Sequence, residues 1–232
     1  MTASLFIIRY KKIFIPFAFI AMAVFHIPLL CSRTIYFYKL LGSGKAGSFS
    51  KVPDLMQWAV FFTGSKESSG RLPAFMQQWV KIFKCEVLCF TLQPLQSKGS
   101  WDGNTLFETF VQPVDEYKPI AILTRATIRL SRLKEFWQNV PPVSAKLHQA
   151  NGLILSVGIG EIPLVKQATF SVWQSLDDMK AFAYSQKEHA EVIQKTRQRN
   201  WYSEELFTRF KITGCTGTLN GKNPLRDYDL NL

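Results

Sequence analysis

Residues 158–210 read GIGEIPLVKQATFSVWQSLDDMKAFAYSQKEHAEVIQKTRQRNWYSEELFTRF, and this stretch predicts a strand, two helices and a second strand. Residues 167–173 alternate polar and apolar side chains, as a strand with one buried face does. A serine followed three residues later by an acid, which is a signature of a helix N-terminus, occurs at positions 175 and 185. Residues 206–212 alternate again and predict the second strand.

The same order of elements is predicted earlier in the chain. Strands are predicted over 4–10, 34–41 and 55–63, with an apolar helix over 13–31. Their counterparts are a strand over 120–130, a helix from Ser131, a strand ending at the glycines of 158–160, and the strand over 167–173. Each half then adds a helix and a strand, over 72–84 and 105–111 in the first half and over 177–200 and 206–212 in the second. The sequence therefore predicts a βαββαβ unit that occurs twice.

A βαββαβ unit is the ferredoxin-like arrangement, in which helices cover one face of an antiparallel sheet. We expect an α+β fold of two tandem ferredoxin-like units, packed as a pseudo-dimeric α+β barrel with a cavity between the two sheets. The predicted domains are an N-terminal half (1–112), a linker rich in proline and acid (113–119), a C-terminal half (120–218) and a tail (219–232).

The charge balance narrows the choice of partners. The chain of 232 residues has 28 Lys+Arg against 17 Asp+Glu, a net charge of +11. This favours an acidic partner, which could be nucleic acid, an anionic membrane surface or an acidic protein. The basic residues are scattered and no zinc-finger, RRM or helix-turn-helix signature accompanies them, so we expect no nucleic-acid binding.

The cysteines and glycines suggest no further chemistry. Four cysteines are too few for a disulfide framework in a chain of this length, which favours a reducing, cytoplasmic location. Cys85 and Cys89 have no histidine or second cysteine pair nearby, and we interpret them as buried small residues rather than metal ligands. Residues 42–47 match G-x-G-x-x-G, but a loop follows where dinucleotide binding requires a helix.

The apolar segment 13–31 contains no charged side chain, and two interpretations stay open. The first is a single N-terminal membrane anchor, because about 20 apolar residues span a bilayer. The second is a helix that packs in the domain or lies in the membrane interface. The preceding strand, Pro28 near the helix end and His26 within it favour the second interpretation.

His189 is the strongest candidate for a cofactor ligand. It shares a predicted apolar helix face with Val192, Ile193 and Thr196, and neutral imidazole is a common ligand of haem iron. The alternative is a core histidine that is hydrogen-bonded to the backbone. The nearby basic residues Arg197, Arg199 and Arg209 could pair with haem propionates or be solvated charges. Four aromatic residues could form the wall of an apolar pocket or belong to an ordinary core: Trp137, Trp173, Trp201 and Tyr202.

Several segments resemble one known family. They are FYKLLGSGKAGSF (37–49), LTRATI (123–128), FW with VPPVS (136–144), GIGEIPLVKQATFSVW (158–173), MKAFAY (179–184), HAEVIQKTR (189–197) and NWYSEELFTRF (200–210). Together they resemble the spheroidene monooxygenases, which are acyclic carotenoid 2-ketolases, over nearly the whole chain. The resemblance also implies a dimeric α+β barrel, in agreement with the repeat.

This resemblance implies an O₂-dependent oxygenase that adds a keto or hydroxyl group near the end of a linear carotenoid. It further implies haem, for which His189 is our candidate ligand, and a ferredoxin-type electron donor. A long hydrocarbon substrate also needs access from the membrane, so we expect peripheral membrane association. Oxygen insertion at an unactivated carbon needs a redox cofactor because protein side chains cannot supply that chemistry. The alternative function is a non-catalytic or cofactor-independent barrel that binds a lipophilic ligand. The sequence names no catalytic residue.

Overall fold

The computed structural model describes residues 1–45, 50–107, 119–185, 198–228 and 230. The chain forms two compact units: the first contains Met1–Ser43, Val52–Pro94 and Ile212–Leu232, and the second contains Gly44–Lys51 and Leu95–Lys211. Two long strands, Glu86–Gly99 and Tyr202–Gly217, contribute residues to both units. The linker predicted at 113–119 lies outside the described residues except for Pro119.

Each half of the chain has the predicted βαββαβ order. The first half contains β1 (Thr2–Arg9), α1 (Ile15–Val24), α2 (His26–Leu30), β2 (Ile35–Gly44), β3 (Pro53–Gly64), α3 (Ala74–Ile82) and β4 (Glu86–Gly99). The second half contains β5 (Ile120–Ile128), α4 (Leu133–Leu147), β6 (Leu153–Ile162), β7 (Lys166–Trp173), α5 (Leu176–Lys180) and β8 (Tyr202–Gly217). A short π-helix, Ala181–Ser185, follows α5.

Strand pairing confirms the predicted fold class. In the first half β1 pairs antiparallel with both β3 and β4, and in the second half β5 pairs antiparallel with both β7 and β8. The hydrogen-bonded order is β1-β3-β2-β6-β7-β5-β8-β4, which closes into a barrel. Within each half the order is therefore the fourth, first, third and second strand, as in a ferredoxin-like unit.

One local prediction needs correction. The last strand of the first half is β4, and not the strand predicted at 105–111, whose described part (105–107) has no regular structure. Pro94 lies within β4, and proline inside a run argues against a strand when only the sequence is read. The helix predicted over 177–200 begins as expected, since the Ser175 hydroxyl accepts a hydrogen bond from the Asp178 amide at 3.0 Å. The α-helix ends at Lys180 and continues as the π-helix Ala181–Ser185. The second predicted helix start, at 185–188, lies largely outside the described residues.

The structure also contains a repeat that the sequence prediction missed. Residues 99–104 (GSWDGN) lie at the end of β4, and residues 217–222 (GTLNGK) lie at the end of β8. Both segments form a tight turn closed by a short antiparallel bridge. In each turn the first and fifth residues are glycines with positive φ: Gly99, Gly103, Gly217 and Gly221. The predicted tail thus begins within a turn that has a counterpart in the other half.

The apolar N-terminal segment is helical and packs on the first unit. Ala18, Ala21, Phe25 and Leu29 are buried along one side of α1 and α2, where they join the cluster that covers the sheet. Within the described residues, Lys12–Leu30 is the segment long and apolar enough to cross a membrane, judged by length and composition, and 22% of it is buried.

Candidate functional site

An apolar pocket of about 250 Å³ lies within the second unit, between one face of its sheet and its helices. This pocket is distinct from the cavity predicted between the two sheets, which stays a prediction. The residues that line the described pocket come from β5, β7 and β8 on the sheet side and from α4, α5 and the π-helix on the other. The aromatic members of the lining are Phe136, Trp173, Phe182, Trp201, Tyr202 and Phe207.

Small side chains on the sheet leave room for the pocket. Thr124 on β5 lies opposite Thr169 on β7, and Ile122 lies opposite Ser171, so these four share the face that the helices cover. Because successive side chains of a strand point to opposite faces, Leu123 and Phe170 are buried on the other side. The sheet face of the pocket therefore carries hydroxyl groups in its middle, with Trp173 at one end of β7 and Gln167 at the other.

The helices supply the larger side chains. Phe136 and Val140 come from α4, whereas Met179, Phe182 and Ala183 come from α5 and the π-helix after it. Serine capping of α5 places Met179 and Leu176 against the sheet, where they join Ile122, Trp173 and Phe182 in one cluster. These side chains form the helix side of the described pocket.

A group of aromatic rings closes one end of the pocket. The Phe136 ring lies edge-on to the Trp201 ring, with centroids 6.0 Å apart, and also contacts Tyr202 at 6.0 Å. Trp201 is fully buried. Its indole N–H has no hydrogen-bond partner in the part of the chain that the structure describes. The indole N–H of Trp173, in contrast, donates to the Ser171 hydroxyl at 3.0 Å.

The structure separates the four aromatic residues predicted for the pocket. Trp173, Trp201 and Tyr202 are among its lining residues. Trp137 is not, because it lies on the adjacent side of α4, where its N–H donates to the Leu164 carbonyl at 3.0 Å and Lys51 lies 5.8 Å from its ring. The hydroxyl residues of the sheet face and Met179 were not predicted as site residues, although the strand alternation had placed Thr169 and Ser171 on the face of Trp173.

The predicted cofactor residues are only partly described. His189 and Arg197 lie outside the described residues. Arg209 lies on β8 in register with Ile122, hence on the sheet face that borders the pocket. In the sequence His189 falls between Ala183 and Trp201, both of which line the pocket.

The other two histidines are exposed and have protein partners. The His26 ring hydrogen-bonds to the Tyr38 hydroxyl at 2.9 Å, and the His148 ring to the Ser144 carbonyl at 2.7 Å. Burial raises the pKa of the Cys85, Cys89 and Cys215 thiols to about 12, which disfavours the thiolate that metal binding requires. Among the described residues no three His, Cys, Asp or Glu side chains group as a metal site.

The pocket residues fit a flat apolar cofactor in part. The aromatic and aliphatic walls match the character of a porphyrin ring, and Arg209 is a cation on the neighbouring sheet face. Met179 and Tyr202 are the described lining residues of types that ligate haem iron, since the described lining contains no histidine or cysteine. His189 lies outside the described residues, and its role as a haem ligand stays a prediction.

A second polar cluster lies in the same unit and has a structural role. Arg125, which is 1% exposed, pairs with Glu204, with Asp102 at 3.1 Å and with Glu161 at 3.5 Å. Lys166 adds a second cation, 2.7 Å from Asp102. Each carboxylate therefore has a basic partner, which a buried charge requires.

The fold and the pocket define the class: a closed α+β barrel of two ferredoxin-like halves with an apolar site on one sheet. A solved aldoxime dehydratase, in complex with butyraldoxime, has the same fold, with a TM-score of 0.65 at 10% identity over 97% of this chain and 84% of its own. A second aldoxime dehydratase structure gives a TM-score of 0.56, over 91% of this chain and 80% of its own, at 10% identity.

Sequence similarity then gives the family. A spheroidene monooxygenase of Rhodobacter capsulatus is 35% identical over 216 residues, which cover 91% of this chain and 89% of that protein. A spheroidene monooxygenase of Cereibacter sphaeroides is 34% identical over 194 residues, covering 82% of this chain and 59% of its own. No protein-family model matches the sequence. The chain belongs to the spheroidene monooxygenase family, which confirms the predicted resemblance and the assignment to the oxidoreductases.

Proposed function

We propose that this protein is an O₂-dependent monooxygenase that adds a keto or hydroxyl group near one end of a linear carotenoid. The apolar pocket of the second unit carries the proposal together with the family membership. Its volume of about 250 Å³ is below the roughly 300–1,000 Å³ of sites that enclose a drug-sized ligand. A pocket of this size suits the end of a long polyene rather than the whole molecule, which matches oxidation near the chain end.

Haem is the proposed cofactor, which His189 would ligate and whose propionates Arg197 and Arg209 would pair with. When bound, haem iron would supply the activation of O₂ that side chains cannot provide. Electrons would come from a ferredoxin-type donor. The net charge of +11 on this chain would attract the acidic surface of such a donor.

The chain's own residues would bind and orient the substrate. Phe136, Phe182 and Trp201 would pack against the polyene end and exclude water, because apolar walls bind a hydrocarbon through the hydrophobic effect. Thr124, Thr169 and Ser171 would offer hydroxyl groups to a polar substituent at that end. The N–H of Trp201 would also be available as a donor for such a substituent.

We further propose a cytoplasmic enzyme that associates peripherally with the membrane, where carotenoids dissolve. The alternative, a single N-terminal anchor formed by Lys12–Leu30, agrees with the length and composition of that segment. Against it, four side chains of α1 and α2 belong to the core of the first unit, so extraction of the helix would expose that core.

The cofactor is tested by the absorption spectrum of the purified protein. We expect a Soret band that disappears in His189→Ala and persists in His26→Ala and His148→Ala, since both control histidines are exposed and hydrogen-bonded elsewhere. In a host that makes linear carotenoids, ketocarotenoid should be lost only in His189→Ala. If the purified protein is colourless and shows no Soret band after haem is added, the cofactor assignment is wrong.

The alternative function is a lipophilic-ligand-binding barrel without catalysis. The observation in its favour is that the described pocket lining contains no histidine or cysteine. Pigment analysis in the same host separates the two functions. Unchanged pigments together with carotenoid that co-purifies with the protein would favour the binding function.

A further inference from the structure

The charge of the chain is concentrated at its N-terminus. Residues 1–53 contain seven basic side chains and no acidic one, because the first acid of the sequence is Asp54. The seven are Arg9, Lys11, Lys12, Arg33, Lys39, Lys45 and Lys51. The three helices of the first unit, α1, α2 and α3, likewise contain no Asp or Glu.

The outward side of the same helices is apolar. Opposite the buried residues of α1 and α2 lie Ile13, Ile27 and Leu30, which are 76%, 66% and 71% exposed. We define the helix-face patch as the exposed apolar side chains on this side of the three helices and of the short 3₁₀ turn Lys12–Phe14 before α1. They are Ile13, Phe17, Ile20, Ile27, Leu30, Phe75 and Ile82. A helix that is apolar all round has both faces covered in its functional state, whereas here the unit covers one face.

Ring contacts make the patch continuous. Phe17 of α1 lies 4.5 Å from Phe83, which directly follows Ile82 at the end of α3. The buried Phe25, between α1 and α2, contacts Phe75 of α3, with centroids 6.4 Å apart. Isolated exposed apolar residues need no explanation, but one continuous surface across three helices indicates a partner.

We propose that the helix-face patch docks flat on an anionic lipid bilayer, with α1 and α2 parallel to the membrane plane. Lys11 and Lys12 precede this helical segment and Arg33 follows it, and all three are exposed. Basic side chains at both ends favour a helix whose two ends reach the same layer of headgroups. A spanning helix would need its two ends on opposite sides of the membrane.

The charge decides between a bilayer and a second copy of the chain. Two copies that met through this patch would bring their basic residues together, and like charges across an interface oppose association. Anionic lipid attracts the same residues. The docking surface does not depend on the proposed carotenoid activity, although a bilayer is where a carotenoid substrate dissolves.

Flotation of the full-length protein with vesicles tests the proposal. We expect binding to vesicles of phosphatidylcholine with about one third phosphatidylglycerol, and much weaker binding to phosphatidylcholine alone. Ile13→Ser combined with Ile27→Ser and Leu30→Ser should weaken binding on the order of 100-fold, because three apolar side chains no longer enter the interface. Lys11→Gln combined with Lys12→Gln should weaken binding to the anionic vesicles about 25-fold.

The matched control is Leu130→Ser, which should leave flotation unchanged because Leu130 is 74% exposed in the second unit.

Circular dichroism checks that each variant is folded, and carbonate washing should release the wild type from membranes. The proposal would be overturned if the triple serine variant floats as well as the wild type. It would also be overturned if carbonate washing fails to release the wild type from membranes. If the wild type does not bind vesicles but forms a dimer, and the triple variant is monomeric, the patch mediates self-association instead. Activity on detergent-dispersed carotenoid should persist in the triple variant, so that this test and that of the enzyme remain distinct.

Discussion

Glu86 and Glu204 have equivalent roles in the two halves. Glu204 accepts hydrogen bonds from the Gly103 amide at 2.7 Å and the Ser100 hydroxyl at 2.8 Å, and Glu86 accepts them from the Gly221 amide at 2.6 Å and the Thr218 hydroxyl at 2.8 Å. Each glutamate lies near the start of a strand and ties down the turn at the end of the other long strand of the chain. A carboxylate that accepts backbone amides is stabilised in its ionised form.

The pKa of both glutamates reflects these contacts. Burial by itself raises the pKa of Glu204, but the Gly103 amide, the Ser100 hydroxyl and the Arg125 guanidinium together lower it below its ordinary value. For Glu86 the same burial is outweighed by the Gly221 amide, the Thr218 hydroxyl, the Asn220 amide and the charge of Arg9. Because the folded-state pKa is lowered, each ionised glutamate stabilises the fold above its unfolded pKa of about 4.3.

Glu204→Gln and Glu86→Gln should therefore lower the free energy of unfolding by about 1–2 kcal/mol each at pH 7, through loss of charge-assisted hydrogen bonds. The difference from wild type should shrink as the pH falls below about 4, where the wild-type carboxyl also becomes protonated. Urea denaturation at several pH values measures both effects. Glu205→Gln is the control, since Glu205 is exposed. A difference that does not change with pH would contradict the electrostatic explanation.

The repeated turns act at the level of the structural element. In both, the residue after the first glycine donates its amide to a carbonyl of a neighbouring strand at 3.0 Å: Ser100 to Glu205 and Thr218 to Val87. Gly99 and Gly217 have φ of +94° and +79°, and a Cβ at either position would overlap the carbonyl oxygen of Glu205 or Val87. Glycine is required there for its backbone conformation and for the close approach of the strand.

Gly99→Ala and Gly217→Ala should each lower the free energy of unfolding by at least about 2 kcal/mol, since the methyl group adds a steric clash to the cost of positive φ. Gly103→Ala and Gly221→Ala provide the matched comparison. Their φ values are +77° and +76°, but a Cβ would have no atom within 4 Å, so we expect about 1 kcal/mol. Equal losses at all four positions would show that steric overlap contributes nothing.

The two halves of the molecule share a topology but differ in what lies between helix and sheet. In the first half the helix-facing positions of β1 and β3 hold Phe6, Ile8, Val60 and Phe62, which pack against the helices in one cluster. In the second half the corresponding face holds Thr124, Ala126, Thr169 and Ser171, and the pocket occupies the space. The smaller side chains of one half account for a binding site in that half.

Thr169→Phe should fill the pocket as phenylalanines fill the first half. We expect ketocarotenoid formation to fall at least about 10-fold, with the free energy of unfolding changed by less than about 1.5 kcal/mol because the added ring enters existing space. Thr105→Phe, at an exposed position of the same unit, should leave product formation unchanged. Full activity of Thr169→Phe would show that the substrate binds elsewhere.

Local patterns determined much of this architecture. Alternation predicted the strands, serine caps predicted the start of α5, and their order repeated twice predicted the ferredoxin-like halves. These signals could be read because each depends on residues within a few positions of one another. The family could also be recognised from short segments such as the one at 158–173, and the sequence predicts Trp173, Trp201 and Tyr202 as pocket residues.

Contacts between distant residues decided the rest. The turn at 99–104 depends on a hydrogen bond between Ser100 and Glu204, which are 104 positions apart. No local sequence pattern predicts that pairing. The pocket exists because Thr124 of β5 meets Thr169 of β7 in register beneath α4 and α5, which assigned it to one half rather than to the space between sheets. The burial of one face of the N-terminal helix, with its other face left exposed, likewise follows from where the sheet lies. Sequence alone determines which faces are apolar, but only tertiary packing determines which of them stay uncovered.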